Sequence, residues 1–489
     1  MNSKVQEYLE KIDKVIAEGP YRDDWASLSR YSEPEWYKKA KFGIFIHWGV
    51  YSVPAFGSEW YPRLMYLEGT KEFEHHVKTY GPQKEFGYKD FIPMFKAEKF
   101  DAAEWVKLFK DSGAKYIMPV AEHHDGFQMY DSELSEWCAA KMGPKRDIIG
   151  ELKEEAEKEG IVFSVSSHRA ENYWFYAGSR NFDSGIEGEG MIEPYGYRDP
   201  AYADRDANTG VHSQPAVKEH LDDWLARTCE LVDKYQPKII FFDWWIQNEC
   251  FKPYLKKFAA YYYNRAEQWG VQVAINYKYE AFAYSTAVLD IERGQLSGIR
   301  PRLWQTDTSV AKNSWGYTEN NLFKNPVDLV CDIIDIVSKN GCMLLNIGPR
   351  ADGTITEEEQ EVLRKIGSWL KVNGESIYDT TYWQVFGEGP TEIADGAFTD
   401  VDRMPFTKED IRFTYKAPCV YANVLVWPED GKISIKSLGS KKFDGIIKSV
   451  SVLGYDYPVS FRHEEESLEI RTEGTIQTDY PVCLKITIE

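Results

Sequence analysis

Two carboxylates in this sequence stand where rigid strands would aim them at one point. Asp243 follows the apolar run at residues 239–242, and Glu292 ends another run, two residues after Asp290 and directly before Arg293. A carboxylate pair cleaves a glycosidic bond when one protonates the leaving oxygen and the other attacks or stabilises the sugar cation. Asp243, at a strand end, suits the nucleophile, and a nearby carboxylate can raise the pKa of Glu292 toward that of an acid.

Imidazoles, aromatic rings and further charged groups follow the other short apolar runs or the loop after the first run. From these we select as candidate site residues His47, Glu59, Trp60, His123, His124, His168 and Lys278. Of the adjacent histidines 123 and 124, we expect one to face the site and the other to lie behind it. His75 and His76 belong to a charged helical stretch, and we expect both at the surface.

The same histidines allow an alternative, a metal-dependent hydrolase that holds zinc with the imidazoles of residues 47, 123, 124 and 168. The HxH and HExxH spacings that such sites commonly use are absent, and two adjacent histidines can hardly bind one ion together. The sequence therefore predicts no metal site. The seven cysteines are scattered, with no CxxC spacing, so we predict neither a disulfide framework nor a zinc ribbon.

The charge balance argues against nucleic acid as a partner. The 489 residues include 58 Lys and Arg against 78 Asp and Glu, a net charge of −20 that repels phosphate backbones. The chain starts with a charged stretch and has no apolar run near the ~20 residues of a membrane span. We therefore expect no membrane partner and a cytoplasmic location, although a chain whose leader had been removed would read the same.

Strand and helix patterns alternate through the first three quarters of the chain. Eight short apolar runs predict buried parallel strands at residues 41–49, 114–124, 161–168, 238–245, 271–278, 287–294, 302–308 and 342–348. Amphipathic stretches predict helices at residues 97–110, 146–159, 217–235, 252–269, 325–339 and 357–374, with weak or missing helices after the fifth and sixth strands. This is the pattern of an α/β fold, a (β/α)₈ TIM barrel, whose active site lies at the carboxyl ends of its strands. An open doubly wound sheet is the alternative.

After residue 374 the pattern changes to short alternating runs, typical of an antiparallel β-sandwich. We predict strands at residues 420–427, 432–438, 446–453, 467–472 and 482–489. The domains are therefore a catalytic barrel at residues 1–375 and a C-terminal sandwich at residues 376–489. A long polar insertion at residues 175–215 is expected either to cover the site or to be partly disordered.

Six sequence blocks, in order, resemble family 29 of the glycoside hydrolases, the α-L-fucosidases. They are WYKKAKFGIFIHWGVYSVPAFGSEWY (36–61), HHDGFQMYDS (123–132), IIFFDWW (239–245), DIERG (290–294), LWQTDTSVAKNSWGY (303–317) and LLNIGPRADGTI (344–355), the last leading to VNGESIY (372–378). The first and last blocks are the most specific to the family.

The resemblance implies a retaining exo-glycosidase that removes terminal α-L-fucose from oligosaccharides or glycoconjugates through a covalent fucosyl-enzyme. It implies a barrel followed by a β-sandwich, no metal and no cofactor. Asp243 corresponds to the nucleophile, and Glu292 resembles the general acid/base. The resemblance places His47, Glu59, Trp60, His123 and His124 against the fucose hydroxyls, and we add Trp315 from the block at 303–317. The oligomeric state, the fucosyl linkage preference and any transfer activity stay open.

Three departures from the family pattern concern the substrate more than the reaction. His168 follows a Ser-Ser pair where relatives often have Tyr-Ser, and Lys278 stands where relatives often have an arginine near the nucleophile. Gln305 replaces a glutamate, which favours Glu292 as the acid. A catalytically silent fucose-binding protein is the second alternative, and the presence of both carboxylates argues against it.

Overall fold

Eight parallel strands form a closed barrel in a computed structural model that describes residues 3–198, 215–400, 404–474 and 476–489. The strands are β1 Phe42–Ile46, β2 Tyr116–Glu122, β3 in two pieces (Val162–Phe163 and Val165–Ser167), β4 Ile239–Phe242, β5 Ala274–Tyr277, β6 Val288–Glu292, β7 Trp304–Ser309 and β8 Gly341–Ile347. Each strand pairs in parallel with the next, and β8 pairs with β1. The predicted barrel is confirmed, and the open doubly wound sheet is wrong because the two edge strands meet.

The strand register brings the polar strand ends to one rim of the barrel. Asp307 of β7 lies opposite Glu292 of β6, and Ser309 of β7 lies opposite Asn346 of β8. The strands themselves are almost entirely buried, as expected for a parallel sheet covered by helices on its outer face. Side chains that follow the last paired residue of each strand therefore converge on one opening.

All six predicted helices are present, and four of them begin at a residue whose side chain caps the first turn. Asp101 accepts a hydrogen bond from the Glu104 amide at 3.0 Å, and Thr356 forms a capping box with Glu359. The helices of ten or more residues are Ser3–Glu18, Lys71–Tyr80, Ala102–Asp111, Ile148–Glu159, Lys218–Tyr235, Lys252–Trp269, Pro326–Ser338 and Glu357–Asn373. Short helices are Trp25–Leu28, Glu35–Ala40, Tyr61–Leu64 and Asn172–Phe175.

The barrel lacks helices at two places that bear on the site. Residues 278–287 after β5 and residues 293–303 after β6, all of them described, contain no helix, as the sequence predicts. Loops therefore take the place of helices after β5 and β6.

None of the described helices has the length and apolar character needed to cross a bilayer.

Eight antiparallel strands follow the barrel as two packed sheets. They are β9 Thr381–Glu388, β10 Ile411–Lys416, β11 Cys419–Val424, β12 Lys432–Ile435, β13 Ile447–Val452, β14 Val459–His463, β15 Leu468–Thr472 and β16 Val482–Ile488. One sheet has the order β9-β10-β11-β16-β13 and the other β12-β15-β14, around a separate apolar core. The predicted antiparallel sandwich is confirmed, with β9, β10 and β14 in addition to the five predicted strands.

Two connecting segments pack against the barrel. The described part of the insertion after β3 contains a small hairpin (Gly190–Met191 and Tyr197–Arg198), and its Glu193 pairs with buried Arg227; residues 199–214 of the insertion lie outside the described residues. Residues 395–400, here called the linker segment, precede the second sheet strand β10 yet hydrogen-bond to the end of β6. The predicted boundary after residue 375 falls in the turn Gly374–Ser376.

Candidate active site

A cavity of about 320 Å³ opens at the carboxyl ends of the barrel strands. Every predicted site residue except Lys278 lines it. The lining residues are His47, Glu59, Trp60, His123, His124, His168, Glu171, Asp243, Trp244, Trp245, Glu292, Asp307, Trp315 and Phe398. The two candidate catalytic carboxylates therefore share one cavity, and aromatic rings make up much of its wall, as is usual for a small-molecule site.

Asp243 is held ionised by two imidazoles. Its Oδ2 atom lies 2.9 Å from Nδ1 of His168 and 3.3 Å from Nε2 of His124. Burial disfavours the charged carboxylate, but His168 and His124 outweigh burial and hold the pKa of Asp243 well below its usual value. A nucleophile must be ionised to attack, so this environment fits Asp243 to that role.

His124 supplies positive charge beside Asp243. Its Nδ1 donates to the His168 carbonyl at 2.8 Å, and its Nε2 lies 3.3 Å from both Asp243 Oδ2 and Glu171 Oε2. Burial would lower the pKa of His124, but Glu171 and Asp243 together raise this pKa to about 9. His124 is therefore an imidazolium at neutral pH, bracketed by two carboxylates.

His168 acts as a neutral donor to the same carboxylate. Burial lowers the pKa of His168, and its Nε2 lies 3.0 Å from Ser166 Oγ. The neutral ring can donate from Nδ1 to Asp243 and accept from the Ser166 hydroxyl at Nε2. Both ring nitrogens of His168 are thereby engaged with protein groups, which fixes the ring against Asp243.

His47 and His123 are also neutral, because burial lowers both pKa values well below the usual histidine value. Nδ1 of His47 lies 2.7 Å from Asn346 Oδ1, while Asn346 donates from Nδ2 to the Trp315 carbonyl at 2.7 Å. That second bond fixes the amide orientation, so His47 must donate from Nδ1 and keep Nε2 as an acceptor. Contrary to our expectation for the 123–124 pair, both rings line the cavity, since both follow the end of β2 and the strand alternation no longer applies.

Glu292 has the opposite electrostatic setting to Asp243. Burial raises its pKa, the neighbouring carboxyl groups of Asp243 and Asp307 add to the rise, and Lys278 and the Trp244 indole oppose it. The net pKa is about 7. The Trp244 Nε1–H donates to Glu292 Oε2, which aims the carboxyl group. A carboxyl group with this pKa can give and take a proton near neutral pH, as a general acid/base requires.

Lys278 lies beneath Glu292 and not in the cavity wall. Its Nζ is 3.2 Å from Glu292 Oε2, 3.1 Å from Asp290 Oδ1 and 3.0 Å from Asp307 Oδ1. An ammonium group has three donors, and three carboxyl groups use them. Lys278 therefore does not fit the predicted role of a sugar ligand; it sets the charge around Glu292 instead.

Asp307 and Asp290 form a carboxyl pair beside this lysine. Burial and the neighbouring Asp290 raise the pKa of Asp307 well above its usual value. Burial raises the pKa of Asp290 as well, but the hydrogen bond between the two carboxyl groups lowers the pKa of Asp290 and raises that of Asp307, which favours Asp307 as the holder of the shared proton. Because one carboxyl group keeps its proton, Lys278 faces three carboxyl groups that carry fewer than three negative charges. This lowers the free-energy cost of burying the four side chains together.

Glu59 ties a neighbouring loop to the cavity wall. Its Oε2 accepts hydrogen bonds from the Ser314 hydroxyl at 3.0 Å and from the Trp315 amide at 2.8 Å. Trp315 lies against His47, with ring centroids 5.1 Å apart, and beneath the Arg293 guanidinium at 4.6 Å. On the other side, Trp60 packs 5.6 Å from His124. These contacts place Trp60 and Trp315 as apolar walls beside the carboxylates and imidazoles of the cavity.

Comparison with known proteins decides the family. The family model described as Alpha-L-fucosidase matches residues 8–375, and that of the Alpha-L-fucosidase C-terminal domain matches residues 404–487. The chain belongs to the α-L-fucosidase family. The tissue α-L-fucosidase of Rattus norvegicus is 31% identical over 439 residues, which cover 86% of this chain and 82% of the relative. The plasma α-L-fucosidase of Homo sapiens is 31% identical over 459 residues, 91% of this chain and 86% of the relative.

Solved α-fucosidase structures share the whole architecture. The Thermotoga maritima α-fucosidase in complex with a mechanism-based inhibitor is 29% identical, with a TM-score of 0.73 over 96% of this chain and 100% of that chain. The α-L-fucosidase isoenzyme 1 of Paenibacillus thiaminolyticus, at 22% identity and a TM-score of 0.67, shares the fold. The protein is thus a glycoside hydrolase of this family, with a TIM barrel and a C-terminal β-domain.

Two lining residues of this fucosidase were missed by the sequence reasoning. Glu171 follows β3 by four residues and Phe398 lies in the linker segment, more than a hundred residues after Glu292. Glu171 ends no apolar run, and nothing in the sequence near Phe398 points back to the barrel. Trp244 and Trp245 closely follow the end of β4, and Asp307 lies two residues before the end of β7, so their position near strand ends was a signal in the sequence.

One surface prediction is wrong. His76 is fully buried: its Nδ1 lies 2.9 Å from the Tyr61 hydroxyl and its Nε2 lies 2.8 Å from the Phe86 carbonyl. His75, its neighbour, is half-buried and stacks on Phe56 with ring centroids 3.8 Å apart. Glu72 and His76, one turn apart, form the buried face of the helix Lys71–Tyr80, while Lys71, Glu74 and Lys78 are exposed, and a charged residue on the buried face hides it in the sequence.

The zinc alternative fails on the donor set of the fucosidase cavity. Ring nitrogens of His47, His123 and His168 lie within 4.8 Å of one another, close enough to suggest a metal site. His168, however, uses both nitrogens on Asp243 and Ser166, and His47 uses Nδ1 on Asn346. A zinc site needs three free protein donors, and these three histidines offer only two.

Proposed function

We propose that this fucosidase removes terminal α-L-fucose from fucosylated oligosaccharides or glycoconjugates by double displacement, with retention at the anomeric carbon. The observation that supports the proposal is that two carboxyl groups in one cavity have pKa values shifted in opposite directions. Asp243 is stabilised as an anion, whereas Glu292 has a pKa of about 7. Paired carboxyl groups whose pKa values are pushed apart are the arrangement that acid and nucleophile roles require.

In the first step, the Asp243 carboxylate attacks the anomeric carbon. The bond between that carbon and the leaving oxygen breaks, and the proton of Glu292 passes to the leaving oxygen. The products are a fucosyl ester of Asp243 and the free alcohol of the leaving group. His124 and His168 keep Asp243 ionised and aimed before the attack.

In the second step, water replaces the leaving group. The Glu292 carboxylate takes a proton from the water, whose oxygen attacks the anomeric carbon while the ester bond to Asp243 breaks. α-L-Fucose leaves, and Asp243 is again ionised while Glu292 is again protonated. Two inversions at one carbon give net retention.

The remaining wall groups suit a deoxy sugar. His47 keeps Nε2 as an acceptor, and Glu59 uses Oε2 on the loop at 314–315 and so keeps Oε1 for a sugar hydroxyl. His123 is a neutral ring that can face another hydroxyl. Trp60 and Trp315 supply apolar surface for the methyl group of fucose.

Kinetics on two single variants test the proposal. Asp243→Ala should abolish turnover of aryl α-L-fucosides, because the nucleophile is lost, while circular dichroism shows an intact fold. Glu292→Ala should slow substrates with poor leaving groups about 10²- to 10⁴-fold and activated aryl fucosides much less. Near-wild-type rates for the Asp243 variant would contradict the assignment of Asp243 as the nucleophile.

Two further measurements separate the alternatives. NMR of the first sugar released should show the α anomer; initial release of the β anomer would mean inversion. Calorimetry that finds fucose binding by the wild-type chain, with no turnover of any aryl fucoside, would favour a silent fucose-binding protein instead.

A further inference from the structure

A second cavity lies directly beyond Trp244. Its volume is about 360 Å³, and it is lined by Trp244, Tyr277, Lys278, Tyr279, Glu280, Leu289, Asp290, Ile291, Glu292, Gly396 and Ala397. It lies where a loop and not a helix follows β5, between the ends of β5 and β6 and the linker segment. Trp244 and Glu292 line this cavity and the first one.

The linker segment forms part of both cavities. Gly396 and Ala397 line the second cavity, and Phe398 lines the first. The Phe398 amide donates to the Glu292 carbonyl at 2.9 Å, and the Thr399 amide donates to the Arg293 carbonyl at 2.8 Å. These backbone bonds hold the segment against the strand end that carries Glu292.

Three aromatic rings stand at the rim between the cavities, and two of them, Tyr279 and Phe398, are exposed. Trp244 contacts Tyr279, with ring centroids 4.6 Å apart, and stacks on Phe398 at 6.0 Å. Tyr279 is 44% exposed and Phe398 is 56% exposed. Large exposed aromatic side chains grouped beside a catalytic cavity mark a ligand-contacting surface.

We infer that the second cavity binds the sugar residue from which fucose is cleaved. The inference rests on the proposed function and adds the place of the leaving group to it. Glu292 must protonate the glycosidic oxygen, so the leaving group has to extend from the fucose toward Glu292. Glu292 is also a wall of the second cavity, which is as large as the cavity proposed for fucose itself.

The lining chemistry fits a pyranose ring. Tyr279 and Trp244 offer ring faces for the C–H side of a sugar, and the exposed Glu280 carboxylate offers an acceptor for its hydroxyls. Lys278 contributes only its aliphatic stem, since carboxyl groups occupy its ammonium donors. The site therefore favours a neutral saccharide as the leaving group.

The test compares a substrate that reaches the second cavity with one that does not. α-L-Fucosyl fluoride carries a leaving group of one atom, whereas a fucosyl disaccharide, in whichever linkage is best cleaved, places a sugar in the second cavity. For Tyr279→Ala we expect the ratio of kcat/KM on the disaccharide to kcat/KM on the fluoride to fall about tenfold. Tyr457→Ala, a 40% exposed tyrosine on the sandwich, is the matched control and should keep the wild-type ratio.

Two outcomes overturn the inference: an unchanged ratio for Tyr279→Ala, or equal losses on both substrates. Phe398→Ala gives an independent measurement at the other side of the rim and should lower the same ratio. Failure of the proposed function would look different, because the wild-type chain would then turn over neither the fluoride nor the disaccharide.

Discussion

At the residue scale, the site works by giving two chemically similar side chains opposite surroundings. Asp243 faces the imidazolium of His124 and the N–H of His168, whereas Glu292 faces Asp243 and the carboxyl pair below it. The difference in pKa is thus a property of neighbours and not of the two acids. Lys278 limits the rise at Glu292, because its ammonium group stabilises the ionised carboxylate.

The dependence of kcat/KM on pH should follow the pKa of Glu292, which these neighbouring charges set. Since Glu292 must be protonated to act as the acid and has a pKa of about 7, kcat/KM should fall as pH rises through that value. The Lys278 ammonium lowers this pKa, so Lys278→Met should raise the pKa and move the alkaline limb to higher pH. The measurement is kcat/KM against pH on a fucoside with a poor leaving group.

The control for this profile is Lys38→Met, on the short helix Glu35–Ala40, where the lysine pairs with Glu35 at the surface. It should leave both limbs in place. An alkaline limb that stays still, or moves to lower pH, in the Lys278 variant would contradict the charge balance described for Glu292.

At the element scale, the linker segment docks on the barrel because glycine leaves room for it. A Cβ atom at Gly294 would lie 1.8 Å from the Gly396 carbonyl oxygen and 3.0 Å from Ala397 Cα. Only a residue without a side chain permits this approach of two backbones. Further along, Lys324 and Thr308 both bond Asp400, which anchors the far end of the segment.

Gly294→Ala should therefore push the linker segment away from β6. We expect a loss of about 1–3 kcal/mol in the free energy of unfolding, the range for overpacking a tight contact, and a lower kcat/KM on fucosyl oligosaccharides. Gly298→Ala is the control, because a Cβ at Gly298 meets nothing within 4 Å. Equal behaviour of the two variants in denaturant unfolding and kinetics would show that the close approach has no effect.

At the scale of the whole molecule, the sandwich is joined to the barrel by a buried ionic contact. Arg412 of β10 donates to Asp335 of the barrel helix Pro326–Ser338, which also pairs with Lys339. Arg412 is 2% exposed and Asp335 is fully buried. The indole of Trp369 adds a hydrogen bond of 2.8 Å to the Pro481 carbonyl. The second domain thereby steadies the barrel that carries the site.

Arg412→Ala should lower the free energy of unfolding by about 3 kcal/mol, because it leaves a buried carboxylate with one partner fewer. Lys416 lies on the same strand as Arg412; Lys416→Ala removes its exposed ion pair with Asp379 and should cost less than about 1 kcal/mol. Thermal and denaturant unfolding of both variants provide the comparison. A loss for Arg412→Ala no larger than for Lys416→Ala would show that the contact does not join the domains.

The sequence by itself determined the eight barrel strands, the two missing helices and the strand-end groups such as Asp243, because apolar runs and their polar ends are local patterns. It could not determine strand β9, whose mixed pattern comes from partial exposure at a sheet edge. Only the tertiary structure shows that Lys278 pairs with Glu292, that Glu171 raises the pKa of His124, and that Phe398 lies at the rim between the two cavities. Each of these depends on contacts between distant segments, and only packing brings such segments together.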